Sequence, residues 1–152
     1  MTTTATHDGL VELSHRDCYR RLASSHLGRV ALSIGALPVV LPVHYVLLDR
    51  DPVFRTDPGA KLSAAANGNV VCLEIDDADP ESHTGWSVMV TGTADVITDP
   101  EELAMAERLP LRPWVGRGDA FVRIRATFVT GRKVVSGHHP AMGIQAVRAQ
   151  RP

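Results

Sequence analysis

The sequence predicts a mainly β protein in which five or six antiparallel strands, carrying three short helices, close into a small barrel. Three observations lead there. Apolar residues recur with period two over most of the chain, the connections between those runs are short, and no internal repeat or βαβ alternation is present. Two runs, beginning at Leu37 and Trp86, are long enough to curl around a shared core, and closure removes the exposed edges of a sheet.

The first element starts at Ser14, an N-cap with Asp17 three residues on, and Leu13 reaches Cys18 across the first turn. Cys18, Leu22 and Ala23 share a face, and Gly28 is expected to end the helix in the left-handed region. From Arg29 the period becomes two, Gly35-Ala36 turns the chain, and Leu37 to Leu48 forms the second arm of a hairpin. Pro38 and Pro42 cannot donate ladder hydrogen bonds, so this arm is an edge or bulged strand with main-chain groups left to face a ligand.

A third strand, Pro52 to Thr56, stops at Asp57-Pro58, read as an N-cap with proline at N1 of a helix from Gly59 to about Ala66. Val70 to Ile75 is the fourth strand, followed by an acidic loop from Asp76 to Ser82. From Trp86 to Thr98, Trp86, Val88, Val90, Ala94 and Val96 face one way and Ser87, Thr91, Thr93 and Asp95 the other, with Met89 and Ile97 interrupting the polar face. Asp99-Pro100-Glu101-Glu102 launches a helix to about Leu109, and a proline-rich connection carries Trp114 and Arg117. The last strand, Phe121 to Val135, sets Val122, Ile124, Ala126 and Phe128 against Arg123, Arg125 and Thr127, with a bend at Thr130-Gly131. Residues 1–13 read as a flexible leader, 14–136 as the domain and 137–152 as a tail.

With 152 residues the chain buries about 68–70% of its unfolded surface and stands without disulfide or structural metal. A net charge of -1 offers no general attraction to nucleic acid. The two cysteines, Cys18 and Cys72, fall on apolar faces outside any CxxC pattern, and no membrane span or signal segment is visible, so a cytoplasmic protein is expected.

Two segments carry candidate chemistry. Phe54 to Leu62 places Arg55, the hydroxyl of Thr56, orphan backbone donors and Lys61 around one helix start, a combination that suits a dianion such as phosphate and also describes a capped surface helix with two solvated cations. Val39 to Tyr45 offers backbone N–H and C=O groups to a flat heteroaromatic ring, with His44 the first candidate acid or base. The pair His138-His139, with His83, lacks the spacing of a metal site, and no GxSxG elbow or dinucleotide fingerprint is present. Trp86 and Trp114 are read as interface residues.

In order along the chain, the proline-containing strand, the Arg55-Thr56-x-x-Gly59-x-Lys61 turn and Val88-Met89-Val90-Thr91-Gly92-Thr93-Ala94 resemble the pyridoxamine 5'-phosphate oxidase-like split-barrel flavoproteins. Thr84-Gly85-Trp86-Ser87-Val88 and Val129-Thr130-Gly131-Arg132 look closest to actinobacterial members of that superfamily, and the likeness runs from Ser14 to about Val135. The resemblance implies an antiparallel split β-barrel and a homodimer with two FMN sites at the subunit interface. Arg55, Thr56 and Lys61 would then hold the FMN phosphate. The main chain of Val40, Leu41, Pro42, Val43, His44 and Tyr45 would line the isoalloxazine ring, and Ser87 or its neighbour Trp86 would touch the flavin. Ala60 departs from relatives that carry Ser or Thr there. The C-terminal Trp-x-Arg region with which the true oxidases read their substrate is missing, so vitamin-B6 oxidation is not expected. The activity implied is flavin-mediated electron or hydride transfer to a small molecule, with NAD(P)H as a candidate donor. A deazaflavin coenzyme, or a flavin- or haem-binding protein without turnover, is the alternative.

Overall fold

A computed structural model of the chain describes residues 5–6 and 9–135. Its elements are β1 (Ala5–Thr6), β2 (Leu10–Glu12), α1 (His15–Ser24), β3 (Leu27–Ile34), β4 (Leu37–Leu48), β5 (Asp51–Thr56), α2 (Lys61–Ala66), β6 (Val70–Asp79), β7 (Thr84–Val96), α3 (Pro100–Glu107) and β8 (Ala120–Val134). All eight strands belong to one sheet, in the order β1-β2-β8-β5-β4-β3-β6-β7, and a further β7–β8 pairing closes β3 to β8 into an antiparallel barrel. The expected architecture is the one observed.

β8 closes the barrel by serving two neighbours. Residues 120–123 pair with β5, and the strand from Val122 onward pairs with β7. Beyond Arg123 the β5 ladder stops, and the amide of Ala126 donates instead to Asp51 Oδ1 at 2.9 Å. The other Asp51 oxygen accepts Arg123 Nε at 2.8 Å, so one carboxylate finishes a strand edge and neutralises a buried guanidinium. α1 lies against the far part of β8, with Cys18 and Leu22 buried and Leu13 N–H donating to Gly131 O at 2.9 Å. A Cβ at Gly131 would stand 2.6 Å from Cys18 Sγ, which is why this strand position is a glycine. Burial pushes the Cys18 thiol above its ordinary pKa, consistent with a packed rather than reactive group.

Inside the barrel, Tyr45, Phe54, Leu73, Ile75, Val88, Val90, Val122 and Ile124 form the main core. The Tyr45 hydroxyl donates to Leu22 O at 2.7 Å, tying β4 to the end of α1. A second, smaller cluster lies on the outer face, where α3 and the connection after it roof β4, β5 and β8: Val53, Ile97, Ala106, Leu111 and Phe121 are buried, with Val46 and Leu48 packed on them.

Local expectations fare unevenly. Ser14 caps α1 by accepting Asp17 N–H at 3.1 Å, and its hydroxyl donates to Asp17 Oδ2 at 2.7 Å, holding that carboxyl below its usual range. Asp99 caps α3 through the amides of Glu101 and Glu102. Gly28, however, does not end α1, which stops at Ser24; it sits within β3, where a Cβ would press on Leu73 and the Glu74 carbonyl. The Asp57-Pro58 signal is not a helix start either. Ala60 N–H bonds Asp57 O at 3.1 Å with Gly59 at φ 73°, a turn with proline at its second position and glycine at its third, and α2 begins only at Lys61. Asp76 to Asp79, read as loop, continues β6. β2, inside the expected leader, pairs with β8.

The largest revision concerns β8. Phe128 does not share the face of Val122, Ile124 and Ala126, because the register shifts opposite Thr91/Gly92, Thr127 is the extra residue, and the alternation inverts. Phe128 is thereby turned outward and Val129 packs on the core.

Candidate functional site

β4 has two different edges. Tyr45 N–H donates to His26 O at 3.0 Å, so the main-chain groups of the odd residues face β3 and those of Pro38, Val40, Pro42 and His44 face away. On that second side β5 pairs only from Tyr45 onward, and its last two residues, Arg55 and Thr56, pair with β8 alone. From Pro38 to Pro42 the edge therefore carries three carbonyls and, with both prolines lacking N–H, a single donor on Val40. The sequence expectation of an edge strand with unpaired groups is met here. Its chemistry is that of a surface able to accept several hydrogen bonds and return one, which fits a heterocycle carrying donor and acceptor atoms along one side.

Next to this edge, a strap of residues 110–119 crosses the outer face. Arg55 Nε donates to Gly118 O at 2.6 Å and Nη1 to Leu111 O at 3.3 Å, with the guanidinium 5.0 Å from the Phe121 ring centroid. Asp57 Oδ1 accepts both Arg117 N–H at 2.9 Å and Gly118 N–H at 2.8 Å. Gly116 and Gly118 adopt φ of 77° and 64°, and a side chain at Gly116 would collide with the Asp57 carboxylate. Held at both ends, the strap brings Trp114 against His44, ring centroids 5.0 Å apart and tilted by 51°.

The candidate residues thus divide. Val40, Pro42, His44 and Arg55 gather around the β4 edge and the strap. Val43 and Tyr45 turn their side chains into the core, where burial raises the Tyr45 phenol well above its ordinary range, so only their main chain belongs to β4's surface. Thr56 is buried and, as the neighbour of Arg55 on a strand, points to the opposite face. Lys61 is the first residue of α2. Trp86 packs against the core beneath Arg21, whose guanidinium lies 4.3 Å from the ring centroid. Ser87 is on β7, with β3 and β6 between it and β4, a separation of roughly 14 Å at about 4.8 Å per strand. Trp86 and Ser87 line a separate cleft of ≈ 570 Å³ with Asp76, Asp79, His83 and Arg132.

Asp57 and Gly118, which clamp the strap, were not legible as such in the sequence. Asp57-Pro58 resembles a helix start so closely that a long-range role for its carboxylate was hidden, whereas the Gly-Arg-Gly spacing at 116–118 was the available signal for a clamped loop. A cleft of ≈ 600 Å³ between the β3–β4 turn and α2, lined by Leu32, Ser33, Ile34, Gly35, Ala64, Ala65, Asn69 and Val70, contains none of the candidate residues. Among the described residues no three His, Cys, Asp or Glu side chains gather to hold a metal ion, and no helix is long and apolar enough to cross a membrane. His138 and His139 lie outside the described residues.

Beyond the strap the outer face of the sheet is bare. Register aligns Val40, Ala31, Cys72, Thr91 and Phe128 in one row across five strands, with Val40 and Phe128 62% and 67% exposed. The next row, Pro42, Arg29, Glu74, Met89 and Thr130, is mixed, with Arg29 bonded to Asp76 at 2.8 Å and to Glu74 at 3.4 Å.

Comparison with known proteins places this architecture. The chain is 42% identical over 133 residues to the Mycobacterium tuberculosis protein Rv0080, covering 84% of this chain and 87% of that one. It superimposes on the structure of a Mycobacterium smegmatis FAD-binding protein with a TM-score of 0.70 and 36% identity, covering 81% of this chain and 97% of that one. A conserved Corynebacterium diphtheriae protein of unknown function gives a TM-score of 0.70 at 32% identity, over 84% of this chain and 100% of its own. The family model for pyridoxamine 5'-phosphate oxidase matches residues 14–133. Barrel, order of elements and family match agree, and the chain belongs to the pyridoxamine 5'-phosphate oxidase family.

Proposed function

We propose that this chain is a flavin-binding oxidoreductase that works as a homodimer. The observation that carries the reading is the β4 edge, where one amide and three carbonyls stand beside Arg55, His44 and Trp114. An isoalloxazine ring carries one imide donor flanked by carbonyl and ring-nitrogen acceptors and so can donate to one of these carbonyls and accept from the Val40 amide. The M. smegmatis relative, named as an FAD-binding protein, supports a flavin. FMN is the smallest flavin that joins this ring to a phosphate, and FAD offers the same pair. For the phosphate, Arg55 retains Nη2, which has no hydrogen bond among the described residues, and Lys61 opens α2 nearby in the chain. A bound flavin supplies hydride or single-electron transfer; the protein binds and orients the ring and keeps water from one side of it. His44, in contact with Trp114 at the ring edge, is the candidate proton donor.

The dimer reading is supported by the open part of the sheet that carries exposed Val40 and Phe128, because an uncovered barrel face of this kind is what a two-fold partner buries. Absorption of the purified protein, followed by fluorescence titration with riboflavin, FMN and FAD, tests the cofactor. Anaerobic reduction by NADH or NADPH and reoxidation by an acceptor tests turnover. Tighter binding of FMN than of riboflavin is expected. Absence of binding to all three flavins overturns the proposal, and binding without reduction by either nicotinamide reduces it to a binding protein.

A further inference from the structure

The strap is anchored out of proportion to what it buries. Its ends are fixed by Asp57 on two amides, by Arg55 on two carbonyls and by Leu111 in the outer cluster, yet Trp114 between them remains 47% exposed and Val115 more so. A tryptophan that serves packing is normally covered, and a loop that serves only connection does not require two positive-φ glycines closed onto a carboxylate. The arrangement fixes one object, the indole, at one place, beside His44 and next to the open edge of β4.

We propose that Trp114 is the aromatic wall of the ring site and that Asp57 is a positioning residue, setting that wall from a distance through the amides of Arg117 and Gly118. The inference rests on the flavin reading and deepens it by naming what contacts the ring's flat surface. β4 supplies hydrogen-bonding groups along one side of the ring, and a planar ligand held there needs a partner for its face. Trp114 and His44 are the aromatic groups that the fold brings to that edge. Because Arg55 holds the same strap at Gly118, the proposed phosphate end and the ring wall share one mechanical element. Asp57 touches no ligand in this scheme.

Riboflavin is the probe, since it has the ring and lacks the phosphate. Titration followed by flavin fluorescence is run on wild type, Trp114→Ala, Asp57→Ala, Asp57→Asn and the double variant Trp114→Ala/Asp57→Ala, with circular dichroism as the folding control. Loss of one aromatic stacking contact is expected to weaken binding about threefold to tenfold in Trp114→Ala. Asp57→Ala should show a similar loss, and the double variant should lose no more than Trp114→Ala alone, because both act through one contact. Asp57→Asn, which keeps an acceptor oxygen, should recover most of the affinity. In a Trp86→Phe background, emission from Trp114 should be quenched by riboflavin, and Asp57→Ala should reduce that quenching at equal occupancy. Wild-type affinity in Trp114→Ala, or losses that add in the double variant, overturns the inference while leaving flavin binding intact. Failure of wild type to bind any flavin overturns the functional reading itself. Should Asp57→Ala not fold, the exposed Trp114 variant and the Asp57→Asn quenching measurement still decide.

Discussion

Phe121 and Phe128 lie on the same strand, both outside the barrel, and have opposite surroundings. Phe121 is 5% exposed beneath α3 and the strap, whereas Phe128 is 67% exposed on the bare part of the sheet. The same division runs along β4, where Val46 and Leu48 are roofed and Val40 is not. The chain therefore builds its own cover for one half of the outer face and leaves the other half open, with Val40 and Phe128 exposed on it. A bulge at Thr127 is required to put Phe128 there, since unbroken alternation would have turned it inward.

The sharpest way to break this contrast is to truncate both rings. Phe121→Ala empties a packed position and is expected to cost about 3–5 kcal/mol in denaturant unfolding. Phe128→Ala should change the unfolding of the protomer by no more than about 0.5 kcal/mol, while lowering the mass seen by light scattering at micromolar concentration. Equal costs for the two would mean that the bare face is already covered within the protomer. An unchanged dimeric mass would leave Phe128 without the interface role.

Asp51 tests how the roofed half is joined to the barrel. Its carboxylate holds Arg123, 9% exposed, at 2.8 Å and caps the Ala126 amide, while Asp49 and Glu102 stand farther from the guanidinium at 3.6 and 3.5 Å. Asp51→Ala should cost about 3 kcal/mol, the lower end for breaking a buried pair, because two carboxylates remain near Arg123. A cost below 1 kcal/mol would show that those two neighbours suffice.

Tyr45 probes the barrel interior beneath β4. Burial raises its phenol above the ordinary value near 10, so the folded state keeps the proton that the unfolded chain releases. Its contribution to stability is complete below about pH 10 and declines as pH rises above that value. Tyr45→Phe should cost about 1 kcal/mol at neutral pH through the lost bond to Leu22 O, and should flatten that alkaline decline. An unaltered alkaline profile would place the titration elsewhere.

How much of this was legible in the sequence depends on range. Period-two runs located every strand of the barrel, and the limits of β4, Leu37 to Leu48, coincide with the expected ones, because alternation and proline act locally. Pro38 and Pro42 likewise announced an open edge. Signals that depend on a distant partner were not readable. Asp57-Pro58 carries the chemistry of a cap, but its carboxylate is used sixty positions away in sequence, by Arg117 and Gly118. Gly28 looks like a helix terminator and is needed instead for contact with Leu73. Phe128 continues an apolar alternation that only the pairing with β7 reveals to be broken. Of the candidate site, the open β4 edge was legible from its two prolines, whereas the contact of Trp114 with His44 and the clamp made by Asp57 depend on residues too distant in sequence to read.

The smallest expected effect lies on the bare face, at Glu74. Burial is the main reason its carboxyl is raised above the ordinary value, with Asp76 adding to the rise and Arg29 at 3.4 Å opposing it. A carboxyl with a raised folded pKa favours the folded state most when protonated, so its contribution is present below the unfolded value near 4.3 and is lost as pH rises through the folded one. At pH 7 the charged group is a slight burden on the fold. Glu74→Gln should therefore raise the unfolding midpoint at pH 7, by an amount worth no more than about 0.5 kcal/mol, and the gain should vanish on acidification to pH 4. Arg29 keeps its shorter bond to Asp76 in the variant, so the cation is not stranded. The measurement sharpens the contrast between the two halves when repeated across protein concentration. If a second copy covers this row, Glu74 is more deeply buried at high concentration and the advantage of Glu74→Gln at pH 7 should grow. An advantage that does not change from nanomolar to tens of micromolar would mean that Glu74 and its row stay in water and that any partner stops at the row of Val40, Cys72 and Phe128. A loss of stability at pH 7 would show that the ion pair with Arg29 outweighs the burial.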